Sequence, residues 1–211
     1  MPYPGITKEA CELAFVIMGA SLAAAADNDV ANKMAGTLVI INPFYVPSSN
    51  EPMHVSVEEA RDAALFMRRV DDDHPQAEKY DEIALTKARD MWVLRSLLGP
   101  NFTGRDIQQQ FPHLYRPGMT KWHGGVCRFG VPYAFSGVQG NYDEALANTA
   151  ANWVEAMGRQ VMVDQPGGVM ASDDSFIGRP DRQTADDLGR TALHSVYGGE
   201  SSAERSGERR G

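Results

Sequence analysis

The sequence predicts one domain that mixes α-helices with short β-strands, and three observations carry that reading. Segments with apolar residues at helical spacing occupy residues 8–26, 82–98 and 141–157. Between them lie short apolar runs rich in β-branched residues, at 36–42, 126–129 and 131–135. The chain is also large enough for a core of its own: 211 residues, 43% hydrophobic and 23% charged, a size that buries roughly 70% of its unfolded surface. Twenty-eight acidic residues against 20 basic ones leave a net charge of -8. That balance argues against nucleic acid and anionic membranes as partners, because both reward clustered Lys and Arg. No apolar run reaches the roughly 18 residues of a membrane span. Cys11 and Cys127 are too few for a disulfide framework and suit a reducing, cytoplasmic setting.

The elements follow in order. Residues 11–26 look superficially like a signal-peptide core, but Glu9 follows Lys8 and Glu12 interrupts the apolar stretch, so the basic leader is missing. We read 8–26 as an internal helix with Thr7 as N-cap and Asp27-Asn28 as its end. Leu13, Phe15, Val16, Ile17, Met18 and Leu22 point in nearly every direction, which predicts cover on all sides and hence a homo-oligomer. Residues 36–42 read as a buried strand closed by Pro43, and 43–52 as a loop with three prolines. Ser56 and Glu59 form a capping box that starts a helix at Val57. Residues 63–70 fit either a helix or a strand, and 71–75 form a turn. The helix over 82–98 stops at Gly99-Pro100. Residues 101–120 read as a long, irregular but ordered functional loop, anchored by Phe102, Phe111, Leu114 and Tyr115. After the two short strands, Asn141 with Glu144 opens the last helix, with Tyr142, Ala145, Leu146, Thr149, Trp153 and Met157 on one face. The reading is a domain over 1–158 and a largely flexible tail over 159–211, within which 182–197 could form one short helix.

Several chemistries are excluded by the absence of their motifs: no phosphate-binding or dinucleotide-binding glycine loop, no G-x-S-x-G, no H-E-x-x-H. The histidines show no pair at helical metal-binding spacing, so no metal site is assigned. Residues 121–141 are more informative. Gly124-Gly125 either forms a tight turn or brings backbone N–H groups close to an anion. His123 beside them can move a proton near neutral pH. Ser136-Gly137 is either a bend or a polar pocket wall. Lys87 shares a helix face with Ala84, Ala88 and Met91, where an apolar residue is expected. Its stem either snorkels past the core or directs an ammonium into a pocket, where it would bind a carboxylate.

The order DEIALTKARDMW, then WHGGVC, then AFSGVQGNYDEALANTA resembles the GlcG/HbpS-like family, also called the heme-degrading domain family, and the C-terminal domain of PduO. Lys87-Ala88, Gly124-Gly125, Ser136-Gly137-Val138 and Asp143-Glu144 occupy the places of the family motifs, and Arg69-Val70-Asp71 matches the Arg-x-Asp that ends the second family strand. The likeness covers about residues 6–157. It departs in a longer loop over 43–62, a short segment at 127–130, and a tail without counterpart. The resemblance implies an α+β fold: an antiparallel sheet of about five strands flanked by helices, profilin-like, in oligomers that bury the first helix. It also favours a short helix and then a strand for 57–70. Family members are linked to heme binding, corrinoid-related chemistry, glycolate-type operons and hydrolysis in aromatic degradation.

Two functional expectations follow. One is a small-ligand-binding protein whose ligand is heme or a small organic or aromatic acid, held by Lys87, Tyr115, Trp122, His123, Gly124, Gly125, Ser136 and Gly137. His113, Tyr115 or His123 would be the candidate iron ligands. The other is a cofactor-independent hydrolase or lyase of a small carboxylated or aromatic substrate. In that enzyme Lys87 holds the carboxylate, Gly124-Gly125 stabilises developing charge and His123 acts as acid or base.

Overall fold

A computed structural model describes residues 6–46 and 55–164. The chain divides after Arg159, and the contacts below lie within the first unit. Helix α1 (Lys8–Asp27) starts as the sequence predicts, with the Thr7 hydroxyl accepting the Ala10 N–H at 3.1 Å. The buried side of it is Ala10, Cys11, Ala14, Phe15, Met18 and Leu22. Leu13 and Val16 stay 49% and 61% exposed. By length and composition α1 is long and apolar enough to cross a membrane, with a mean hydropathy of 1.5 over its best window.

Strand β1 (Thr37–Ile41) is buried throughout, and its alternation feeds two separate cores. Leu38 and Ile40 join α1 and the last helix on one face, while Val39 and Ile41 join α2 and α3 on the other. Helix α2 (Val57–Asp62) has the complete Ser56–Glu59 capping box, and β2 (Ala64–Arg69) follows at once, as the family likeness implied. Helix α3 (Ala77–Leu98) begins ahead of the periodic segment at 82–98. Its Asp81 takes a two-pronged contact from Arg69 and a 2.6 Å hydrogen bond from Thr37, tying β1 and β2 to the helix.

Residues 101–120 are not the irregular loop the sequence suggested. They form a two-residue strand β3 (Phe102–Thr103), helix α4 (Gly104–Gln110) with a second capping box between Thr103 and Asp106, and a 3-10 turn at Pro112–Leu114. The Arg116 carbonyl then accepts the Met119 N–H at 3.1 Å, with Gly118 at φ +86. Pro then positive-φ Gly at the centre is the pattern of a type II turn. Strands β4 (Gly125–Arg128) and β5 (Val131–Ser136) are joined at Phe129-Gly130, both at positive φ, which suits a two-residue hairpin. The sheet order is β2-β1-β5-β4-β3, antiparallel throughout. The fold is therefore α+β, a five-stranded antiparallel sheet with helices on both faces.

Helix α5 (Gly140–Asp164) corrects two expectations. It starts at Gly140, so Asn141 lies in its first turn and not at its cap. Asn141 and Glu144 instead reach α4, accepting the Arg105 side chain and the Arg105 N–H respectively, each at 3.0 Å. The buried face is Leu146, Ala147, Ala150, Ala151 and Val154, whereas Tyr142 and Trp153 are exposed. The helix also runs past Met157. The expected tail lies outside the described residues beyond 164.

Candidate functional site

The site forms where the middle of α3 meets the entry to β4 and the first turn of α5. Lys87 is 2% exposed, and its ammonium donates to Asp143 Oδ2 at 2.8 Å and to the Phe135 carbonyl at 3.0 Å. Asp143 Oδ1 accepts the Val138 N–H at 2.9 Å, so both carboxylate oxygens are engaged. Burial pulls the Lys87 ammonium below the usual lysine range, and the Asp143 charge opposes that shift. The third ammonium hydrogen has no acceptor among the described residues.

Gly124 explains how this pair fits under the β4 entry. A Cβ there would lie 2.6 Å from Lys87 Nζ and 2.7 Å from Asp143 Cβ, and its φ of +135 is one that side-chain-bearing residues rarely adopt. At Gly125 a Cβ would meet Met91 at 2.8 Å.

Beside Lys87 lies a narrow notch of about 10 Å³, room for about one water. Lys87, Asp90, Tyr115, Trp122, His123 and Gly125 line it, with Met91, Gly104, Ile107, Met119 and Thr120. His123 is held at both ring nitrogens: Nδ1 lies 3.0 Å from Gln108 Oε1 and Nε2 lies 2.7 Å from Asn141 Oδ1. Asp90, 3% exposed, accepts from Arg89 at 2.6 Å and from the Thr120 N–H at 3.0 Å. Burial pushes its carboxyl up to about 6, and burial also raises the Tyr115 hydroxyl.

The residues singled out by sequence thus divide. Lys87, Tyr115, Trp122, His123 and Gly125 share one notch, and Gly124 packs directly on the Lys87 ammonium. Ser136 and Gly137 do not line it. Ser136 pairs with Thr37 inside the sheet, and Gly137 is pressed against Ala35 and Gly36. Asp90, Gln108 and Asn141 belong to the site and were not read from the sequence. The sequence reading of Lys87 is an ammonium in a pocket that binds a ligand's carboxylate; the carboxylate it meets in the structure is the chain's own Asp143.

Heme does not fit these residues. The notch is far smaller than a porphyrin, and neither His123 nitrogen has a free lone-pair direction. His113 stands exposed, with its ring edge-on to Phe111. No group of three His, Cys, Asp or Glu side chains suited to a metal ion occurs among the described residues. No family model, curated protein or solved structure matches this chain.

Proposed function

We propose that the protein binds a small organic acid at this notch, as a ligand-binding protein of the GlcG/HbpS kind. The observation that carries this reading is the Lys87 ammonium: buried, held in place by Asp143 and Phe135, and left with one donor on a cavity wall. A carboxylate oxygen is the size of the water the notch can hold, and a charge-assisted hydrogen bond is the strong kind. The remainder of the acid would leave past Trp122, which is 58% exposed. Heme is set aside for lack of room and of a free ligand. A homo-oligomer is part of the same reading, supported by the uncovered apolar side of α1.

In the hydrolase or lyase reading Lys87 would hold the substrate carboxylate and His123 would act as acid or base. That acid–base role would first have to release Gln108 or Asn141.

Acetate is the probe, followed through backbone amide resonances. Saturable shifts at His123, Gly124 and Gly125 are expected. A Lys87→Met/Asp143→Asn double variant, which removes the charge pair together, should bind acetate ten- to a hundredfold more weakly. Absence of saturable shifts, or unchanged affinity in the folded double variant, would overturn the binding reading. Turnover of phenyl acetate that is lost in His123→Ala would favour the hydrolase instead.

A further inference from the structure

On the other side of Asp90 opens a second, larger cleft of about 380 Å³, within the range of small-molecule sites. Val55, Val93, Pro117 and Met119 give it apolar walls, and Arg89 and Arg116 bring two guanidinium groups. Arg89 is fixed: its Nε and Nη2 grip Asp90 Oδ1 at 3.1 and 2.6 Å, and Nη2 also donates to the Gly118 carbonyl at 2.6 Å. Its Nη1 has no acceptor among the described residues. Arg116 sits at the first position of the Arg116–Met119 turn, which Pro117 stiffens and Arg89 pins to α3. The Arg116 side chain makes no hydrogen bond or ion pair among the described residues. Among the described residues Asp90 is the one acid lining the cleft, and Arg89 and the Thr120 N–H already occupy both its oxygens. A rigid, cation-rich cleft with hydrocarbon walls therefore stands in a chain whose net charge is -8.

We propose that this cleft binds a bulky apolar monoanion, an aromatic or branched aliphatic carboxylate. The carboxylate would lie on Arg116 and the outer edge of Arg89, whose planar donors match its two oxygens. The ring or branched chain would lie on Val55, Val93, Pro117 and Met119. This site is independent of the one-water notch at Lys87: the two share only Asp90 and Met119 as walls among the described residues, and they differ in size.

The test uses the full chain with 2-naphthoate and its neutral counterpart 2-naphthol, titrated by calorimetry near pH 7.5. Saturable one-to-one binding of naphthoate is expected, with naphthol at least tenfold weaker. Arg116→Gln should weaken naphthoate ten- to a hundredfold and leave acetate shifts at Gly124 unchanged, while Arg116→Lys should restore part of the affinity. Arg116 is exposed and makes no hydrogen bond or ion pair among the described residues, so these variants should fold. Equal affinity for naphthoate and naphthol, no effect of Arg116→Gln, or competition between naphthoate and acetate would each overturn the second site. Failure of acetate binding alone would sink the Lys87 reading and leave this one standing.

Discussion

Truncating Lys87 strands a carboxylate. Asp143 is as deeply buried as its partner, with side-chain exposures of 6% and 2%, so the pair is balanced only while both charges are present. Lys87→Met keeps most of the stem's apolar contact, yet leaves Asp143 uncompensated, a loss of about 3–5 kcal/mol for a broken buried pair. Asp143→Asn alone should destabilise for the mirror reason. The double variant Lys87→Met/Asp143→Asn keeps an oxygen for the Val138 N–H and carries no charge, so it should recover most of the loss. Urea unfolding of the three variants checks this. Equal and additive losses in the double variant would show that the two groups do not act as a pair. The cysteines are a contrast at the same scale: Cys11 and Cys127 are free and fully buried, and burial pushes each thiol up to about 12, leaving almost no reactive thiolate at neutral pH.

Elements were legible where a local rule fixes the backbone. Thr7, the Ser56–Glu59 box and the Gly99-Pro100 stop mark helix ends by side-chain and backbone chemistry that needs no tertiary partner. Residues 101–120 were not legible because their order comes in pieces too short for periodicity, although Thr103–Asp106 and Arg-Pro-Gly-Met carried the signals of a cap and a turn. The α5 face was misread for a packing reason. That helix enters the core shared with Leu38, Ile40 and Phe135 through Leu146, Ala147, Ala150, Ala151 and Val154, and the large Tyr142 and Trp153 are left outside. In the site, Lys87 and His123 were visible as residue types out of place, whereas Asp90, Gln108 and Asn141 acquire meaning only from neighbours distant in sequence. Helix α1 carries the prediction at this scale. Leu13 and Val16 lie on a side of α1 that the described residues leave open, so a partner copy of α1 is the expected cover. Leu13→Glu with Val16→Glu should convert an oligomer to monomer in sedimentation without loss of helical signal, since both side chains are already in solvent. A wild-type monomer at micromolar concentration would remove the basis for self-association.

For the whole molecule, Asp90 predicts a pH dependence of unusual sign. An acid held near 6 in the folded chain, against about 4 unfolded, binds its proton more tightly when folded. Folding is then favoured by that proton, and the contribution falls by up to about 3 kcal/mol as pH rises from about 4 to about 6, then stays flat. Other carboxylates add their own slopes, so the quantity to read is the difference in unfolding free energy between wild type and Asp90→Asn. That difference should shrink through this window; a difference constant with pH would contradict it. The strand order has a consequence of another kind. β1 pairs on one side with β2, close in the chain, and on the other with β5, where Thr37 faces Ser136. During synthesis the β1–β2 ribbon can close early, but its second edge, the apolar Leu-Val-Ile-Ile, must wait for most of the domain to leave the ribosome. An exposed apolar edge of that kind invites pairing with another nascent chain. Slowing translation after β2 should therefore lower soluble yield, and holding the growing chain on a chaperone until β5 emerges should restore it.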